Sequence, residues 1–195
     1  MAFLRPTLVQ DASPFVRGNG LMLRPPAFSD YVAWATLRAA SRAHLVPFEP
    51  QWAHDELTRA AYRQRLRRYQ RDIKEDAGYA FFILRESDGE LLGGLTLSNV
   101  RRGVTQAAAL GYWTGLCHTR KGFMGAALVT LLPFAFGGLR LHRIEAACLP
   151  INEASIRTLE RAGFRREGLA RHYLKINGTW QDHLLYALSE EDRAR

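Results

Sequence analysis

The chain has 195 residues, is 47% hydrophobic and 24% charged, and carries a formal net charge of +8. That length and balance fit one soluble domain with a buried core. No apolar run approaches a membrane span, MAFLRPTLVQDASPF lacks a signal-peptide core, and Cys117 and Cys148 lack metal-ligand spacing and are too few for a disulfide scaffold; membrane, secreted and zinc-dependent classes are set aside, and the cytoplasm is expected. The basic balance favours anionic partners such as a phosphorylated cofactor, RNA or a ribonucleoprotein particle.

Residues 1–19 read as a loosely held arm broken by Pro6, Pro14, Gly18 and Asn19. Leu21–Arg24 reads as a short strand ended by Pro25-Pro26. Ser29 or Asp30 caps a helix from Tyr31 to about Leu45. Pro47 to Trp52 is a rigid aromatic loop. A second helix is expected from Asp55 to Lys74, apolar at Leu57, Ala61, Leu66, Tyr69 and Ile73 and otherwise crowded with arginines. That basic face is either solvated or a docking surface for RNA or an acidic protein.

Tyr79–Leu84 and Glu90–Leu97 flank Ser87-Asp88-Gly89 as a hairpin, and Asn99–Gly103 reads as a polar turn. A strand from Thr105 to Thr114 feeds a helix that runs to about Phe136, kinked by Pro133 and stopped by Gly137-Gly138. His142–Leu149 is a strand, Glu153–Ala162 a helix, and Leu169–Ile176 and Thr179–Leu188 form a hairpin about Asn177-Gly178. A two-residue type I′ turn there pairs Ile176 with Thr179, Lys175 with Trp180, Leu174 with Gln181 and Tyr173 with Asp182. Hairpins first and alternating strands and helices later imply a mixed α/β fold, α+β in character, rather than a doubly wound sheet.

The organising stretch is Leu110–Gly125, LGYWTGLCHTRKGFMG. A strand entering a helix through a glycine-bearing loop leaves unpaired backbone N–H groups at the positive end of the helix dipole, where phosphate binds. Arg120 and Lys121 add charge, and Gly122 and Gly125 permit close backbone approach. The pattern is neither a nucleotide P-loop nor a dinucleotide fingerprint. By itself it indicates an anion at a helix N-terminus.

This stretch, followed by HRIEAACLPINEASIRTLERAGFRREG, resembles the GNAT superfamily of acetyl-CoA-dependent N-acetyltransferases. The superfamily's Q/R-x-x-G-x-G/A loop falls on Thr119, Arg120, Lys121, Gly122, Phe123 and Met124, with departures at the first and last positions. Asn152, Ser155 and Glu160 to Phe164 match the N-x-x-S-x-x-x-x-E-x-x-G-F segment of one branch. Pro47-Phe48-Glu49-Pro50, Ser98-Asn99-Val100, Arg102-Gly103, His142-Arg143-Ile144 and the Tyr173–His183 hairpin are similar to the ribosomal-protein-alanine N-acetyltransferases of that branch.

The resemblance implies a single GNAT domain over about residues 20–190, with a splayed mixed sheet of six or seven strands flanked by helices. It implies an acyltransferase that uses acetyl-CoA on a protein N-terminal α-amine, possibly ribosomal, as a monomer or homodimer. The alternatives are a small-amine acetyltransferase or a non-catalytic RNA- or ribosome-binding protein docking through the 59–74 helix. Cofactor contacts are implied at Tyr112, Trp113, Thr114, Thr119, Arg120, Lys121, Gly122, Phe123, Met124, Gly125 and Asn152, with an oxyanion donor near the Trp113 N–H. Substrate contacts are expected at Phe48, Glu49, Trp52, Asn99, Tyr173 and Asp182; Asp182 would attract the incoming ammonium. No metal is expected.

Glu145 is the candidate base, on the expectation that its strand is covered on both faces and that desolvation raises its pKa; the alternative is an ion pair with Arg143. Ser155 is the candidate proton donor to the departing thiolate, with Cys148 as a second candidate, or else it caps its helix. The tyrosine that serves as acid in some relatives is absent, because Leu159 occupies its position. His118, His142 and His172 read as surface or packing residues.

Overall fold

The computed structural model describes residues 14–193. Residues 1–13 of the expected arm lie outside them, and the arm's end is part of the sheet: Val16–Gly18 (β1) pairs antiparallel with Leu21–Arg24 (β2). Asn19 and Gly20 between them have φ of 53° and 71°. Both positive values mark a type I′ turn, so this Asn-Gly builds a hairpin where it had read as a breaker.

The chain continues through α1 (Tyr31–Ala40), α2 (Arg42–Leu45), α3 (Arg59–Lys74), β3 (Tyr79–Arg85), β4 (Leu91–Arg101), β5 (Ala107–Thr114) and α4 (Phe123–Pro133). It ends with β6 (Arg143–Cys148), α5 (Glu153–Arg161), β7 (Arg165–Ile176), β8 (Thr179–Ser189) and the short α6 (Glu190–Arg193). Among the described residues the strands form one sheet in the order β1-β2-β3-β4-β5-β6-β8-β7, in which the three-residue edge strand β1 adds to a core of the expected size. Every neighbouring pair is antiparallel except β5 and β6, which run parallel. A parallel pair requires a crossover, and α4 supplies it.

Residues directly opposite in register share a face of the sheet. On one face Leu95, Leu97, Leu110, Ile144 and Ala146 pack beneath Leu128 and Leu131 of α4 and Leu159 of α5. On the other, Phe82, Leu84 and Leu91 pack against Trp34 of α1 and Tyr62 and Leu66 of α3. That second cover stops short of the sheet's centre. Thr96 pairs with Gly111 and Ser98 with Ala109, and none of the four is buried. Gly111 is exposed although it lies in the middle of the sheet, and a Cβ built there meets nothing within 4 Å. The sheet therefore has one closed face and one partly open one.

Several boundaries differ from the sequence reading for local reasons. The helix expected over Tyr31–Leu45 breaks at Ser41, whose buried hydroxyl accepts the Leu116 N–H at 2.9 Å. Thr58 caps α3 by accepting the Ala61 N–H at 3.2 Å, so the helix starts four residues after Asp55. The polar turn expected from Asn99 is instead the bulged end of β4: the register slips between Ser98 and Arg101, with Asn99 at φ 51°. Pro133 acts as expected, since a π turn over Phe134–Gly138 follows it. Four arginines of the basic helix region lie over aromatic rings: Arg59 on Tyr31 at 4.6 Å, Arg63 on Phe28 at 5.1 Å, Arg65 on Trp34 at 5.4 Å and Arg68 on Tyr69 at 5.6 Å.

Gly93 and Gly94 let β5 lie flat against β4. A Cβ on Gly94 would come within 2.7 Å of the Trp113 Nε1, and one on Gly93 would collide with the Trp113 carbonyl oxygen. Backbone cannot yield as a side chain can, so Gly93→Ala is expected to destabilise by about 1–3 kcal/mol. Thermal unfolding should register this as a loss of about 2–4 °C for each kcal/mol.

Candidate active site

The parallel pairing of β5 with β6 runs from Ala107 opposite Arg143 to Leu110 opposite Ala146 and stops. β5 stays paired with β4 as far as Thr114, and β6 stays paired with β8 as far as Cys148. The two strands part inside a continuous sheet. The β5 edge over Gly111–Thr114 is left with backbone groups free to pair with a ligand.

At the end of that edge the chain turns into α4. Arg120 and Gly122 both have left-handed φ, 60° and 79°. The first helical N–H with a carbonyl partner is that of Ala126, bonded to Gly122 at 3.0 Å. Those of Phe123, Met124 and Gly125 have none among the described residues, and no described side chain caps the helix. Met124 is buried and Phe123 half-buried, so their side chains serve the core while their backbones face outward. Cβ atoms built on Gly122 or Gly125 meet nothing within 4 Å, and the exposed Arg120 and Lys121 flank the turn. The Thr119 hydroxyl donates to the Leu116 carbonyl at 2.9 Å and closes the preceding turn. Uncapped N–H groups, flanking cations and open backbone together fit a phosphate group.

Across the gap, Asn152 caps α5 by accepting the Ser155 N–H at 3.1 Å. Ser155 is therefore not the cap, and its hydroxyl lies 2.7 Å from the Tyr112 Oη. Burial pushes the Tyr112 phenol up to about 12, against the opposing effect of the Ser155 hydrogen bond. Burial likewise pushes the Cys148 thiol up, again opposed by a hydrogen bond with Ser155. Three proton-bearing groups from β5, β6 and α5 thus meet where the strands part.

A parallel pair that splays at mid-sheet and leads to an uncapped helix N-terminus has a counterpart among known proteins. The family model described as "Acetyltransferase (GNAT) domain" matches residues 20–165. The chain belongs to this family.

Among its relatives, this acetyltransferase is 37% identical over 177 residues to the probable N-acetyltransferase YjcK of Bacillus subtilis, covering 91% of this chain and 98% of the relative. It is 34% identical over 165 residues to the ribosomal protein uS5-alanine N-acetyltransferase of Escherichia coli, covering 84% of this chain and 85% of that one. Among solved structures, Mycobacterium smegmatis RimJ in complex with CoA-disulfide superposes with a TM-score of 0.85 at 34% identity, covering 94% of this chain and 89% of that one. Among the described residues no three His, Cys, Asp or Glu side chains converge to hold a metal ion, and no helix is long and apolar enough to cross a membrane.

The open face of this acetyltransferase departs from the sequence reading in three places. Glu49 does not face a substrate with a free carboxylate. Its two oxygens accept from Arg38 Nη1 and Nη2, each at 2.7 Å, and Trp52 Nε1 donates to it at 2.7 Å. Arg38, only 5% exposed, lies between the Trp52 and Trp113 rings at 4.3 and 5.0 Å. Beside this latch, Phe48 ends a 3₁₀ turn, and the Asn177 N–H donates to the Glu49 carbonyl at 2.9 Å, joining the 46–52 loop to the β7–β8 turn.

Glu145 is not covered on both faces. It points to the open side with its side chain 36% exposed, and it is ion-paired to Arg143, the alternative reading, and to Arg101. Arg143 in turn pairs with Glu167, which makes a four-membered charge network.

The hairpin register holds from Ile176–Thr179 through Leu174–Gln181 and then slips at a bulge. Tyr173 and Asp182 are consequently not recorded as partners. Asp182 accepts the backbone N–H of His172 at 2.8 Å, where His172 has φ 47°, and the half-exposed Tyr173 ring packs edge-on to His183 at 5.9 Å.

The residue that the sequence reading passed over is Arg38. Its only sequence signal is the spacing Trp34–Arg38, one turn apart on the buried face of α1.

The two thiols provide a direct check on this geometry. Cys117 is exposed and Cys148 is buried with its pKa raised. One thiol per chain should react quickly with a disulfide reagent at neutral pH and the second only slowly, until denaturation releases it; equal rates would contradict the burial at the splay.

Proposed function

We propose that this acetyltransferase transfers the acetyl group of acetyl-CoA to the N-terminal α-amine of a protein, with a ribosomal protein as the acceptor class. The observation that carries the reading is the uncovered sheet floor at Gly111, with unburied Thr96, Ser98, Ala109 and Ala147 around it. A small amine would need walls on this side to be held. An extended chain needs an open floor, which small side chains provide. Relatives named as acting on ribosomal protein uS5 support the choice of acceptor.

Acetyl-CoA, when bound, supplies the acyl group activated as a thioester. The free N–H groups of Phe123, Met124 and Gly125, with Arg120 and Lys121, would hold its phosphates. The open edge over Tyr112, Trp113 and Thr114 would receive its extended arm. Backbone N–H groups on that edge would stabilise oxygen charge developing on the acyl carbon, a contribution of roughly 3–4 kcal/mol per donor in other enzymes.

Ser155 is positioned to give up a proton. Its hydroxyl accepts from or donates to Tyr112 at 2.7 Å, and Tyr112, with a pKa of about 12, remains protonated and able to replenish it. No strong base is required for this acceptor. About a tenth of an α-amine with a reference pKa near 8 is uncharged at pH 7, against roughly one part in 2,500 of a lysine side chain. Glu145, tied to two arginines, then orders the charge network at the edge of the floor, and a water molecule carries off the amine proton.

Gly122→Val should weaken acetyl-CoA binding by more than tenfold in calorimetry, because the new side chain fills the approach to the helix N-terminus and must adopt a left-handed φ. Ser155→Ala should lower kcat about 100-fold while leaving cofactor affinity unchanged. An acetyl-CoA consumption assay should find turnover on peptides with free N-termini, rising with pH toward a plateau above 8, and little on polyamines or free amino acids. The reverse preference would sink the reading.

The same reading gives a role to the basic helix. Arg67, Arg71 and Lys74 are exposed and make no ion pair or aromatic contact among the described residues. They would meet an anionic ribosomal particle. Reversing the charge at Arg67 and Arg71 should weaken particle binding and flatten its dependence on salt concentration by about two units in the log–log slope. Unchanged binding would make α3 a solvated face.

A further inference from the structure

A cavity of about 170 Å³ lies between the C-terminal turn of α3 and strands β3 and β4, lined in part by Tyr69, Asp72, Ala80, Thr96, Ser98 and Asn99. It borders the open floor. Ala80 pairs with Thr96 and Thr96 with Gly111, so these three residues share the face on which the acceptor is proposed to lie. Paired residues on neighbouring strands are about 5 Å apart. The cavity floor is therefore about one strand spacing from Gly111, and one residue of an extended peptide covers a similar distance.

Its chemistry is uneven. Ala77 and Ala80 give it apolar lining, and Asp72, Thr96, Ser98 and Asn99 give it polar groups. Neither the Asp72 carboxylate nor the Asn99 amide makes a hydrogen bond or ion pair within the described residues. Arg68, one turn before Asp72 and spaced to pair with it, lies instead over the Tyr69 ring at 5.6 Å. Asn99 is presented by the β4 bulge at φ 51°, a left-handed conformation that Asn tolerates. An unpaired carboxylate beside an apolar wall suits a cationic side chain whose methylene stem needs cover and whose head needs a partner. The volume is sufficient, since a cavity of about 150 Å³ holds a benzene molecule. Two cations of α3 meet the outer wall at Tyr69, Arg68 over its ring and Arg65 donating to its hydroxyl at 3.5 Å, and neither pairs with Asp72; interactions beyond about 8 Å are screened at physiological salt, whereas contact with Asp72 is not.

We propose that this cavity is a specificity subsite for the acceptor residue that follows the acetylated N-terminus, that it selects a basic side chain there, and that Asp72 is its charge partner with Asn99 lining it. The proposal rests on the N-terminal acetylation reading and extends it to the second acceptor residue.

The test uses the full chain, acetyl-CoA and a set of peptides that begin with alanine and differ only at the second residue: lysine, arginine, leucine or glutamate. The wild-type protein should favour lysine or arginine over leucine by about fivefold in kcat/KM, as a partly exposed charge pair allows, and should favour glutamate least. In Asp72→Asn the lysine-to-leucine ratio should fall to about one, carried by KM rather than kcat, while the unfolding midpoint and the calorimetric affinity for acetyl-CoA stay at wild-type values. Asn99→Ala should reduce the ratio by less, and Arg68→Gln should keep or raise it.

Peptides acetylated at equal rates whatever their second residue, or a lysine preference that persists in Asp72→Asn, would overturn the subsite and leave the acetylation reading standing. If no peptide in the set is acetylated while small amines are, both fall together.

Discussion

The structure depends on the point at which β5 and β6 stop pairing. Four register pairs hold the strands parallel, and beyond Leu110 and Ala146 each follows its other neighbour. A strand edge opened inside a sheet would normally be costly, because its backbone groups lose their partners. Here the opening is maintained by what stands in it. The Tyr112 phenol reaches across to Ser155 at the start of α5, and Cys148 is buried beside them. Asn152 fixes the first turn of α5, so that turn cannot relax into the gap. The same few residues that keep the sheet open also carry the protons the proposed chemistry needs.

The two faces of the sheet divide the labour. The α4–α5 face is a closed apolar core whose central side chains are nearly all fully buried. It provides the main hydrophobic stabilisation at roughly 25 cal/mol per Å² of apolar surface removed from water. The opposite face is covered only where α1 and α3 reach, over β3 and the adjoining end of β4. Over the remainder of β4, β5 and β6 that face carries small or polar side chains apart from Trp113, which lies against Arg38. A Cβ at Gly111 would meet nothing within 4 Å. Its absence leaves a floor rather than a core, which is what an extended acceptor needs.

One ion pair links the two halves of that floor. Arg38 is held by Glu49 in a bidentate pair and sandwiched by Trp52 from the loop and Trp113 from the splayed strand. Such pairs contribute little net stability against an apolar substitute, but they fix geometry, because a buried charge tolerates few arrangements. The Arg38 Nε has no partner among the described residues, so among them its planar fork is satisfied only on the Glu49 side. The loop, the β7–β8 turn and the Trp113 strand are thereby set relative to one another.

Local signals in the sequence were enough for much of this. Asn-Gly at 177–178 specified a type I′ turn, and the observed φ values of 43° and 83° and the first three register pairs follow from it, because two-residue turns leave the strands no choice of register. The strand-to-helix passage through Gly122 and the disturbance of the helix at Pro133 were legible for the same reason: backbone chemistry at a glycine or proline acts within a turn of the chain. The family likeness was legible because those punctuating residues recur at fixed spacing.

What failed in the sequence reading failed where a distant element intervened. Glu145 read as a doubly covered core carboxylate, but no helix reaches the open face at its position, and Arg101 from β4 claims it. Glu49 read as a substrate contact until Arg38, eleven residues earlier, took both its oxygens. Tyr173 and Asp182 were separated by a bulge that no local signal announces. The sequence by itself determined the Asn177-Gly178 turn and the glycine-bearing strand-to-helix passage at Gly122, since each is fixed by residues within a few positions of one another. Which carboxylates are spent, where the sheet parts and which face stays open were decided only by tertiary structure, because each depends on which side chains from separate elements arrive at the same place.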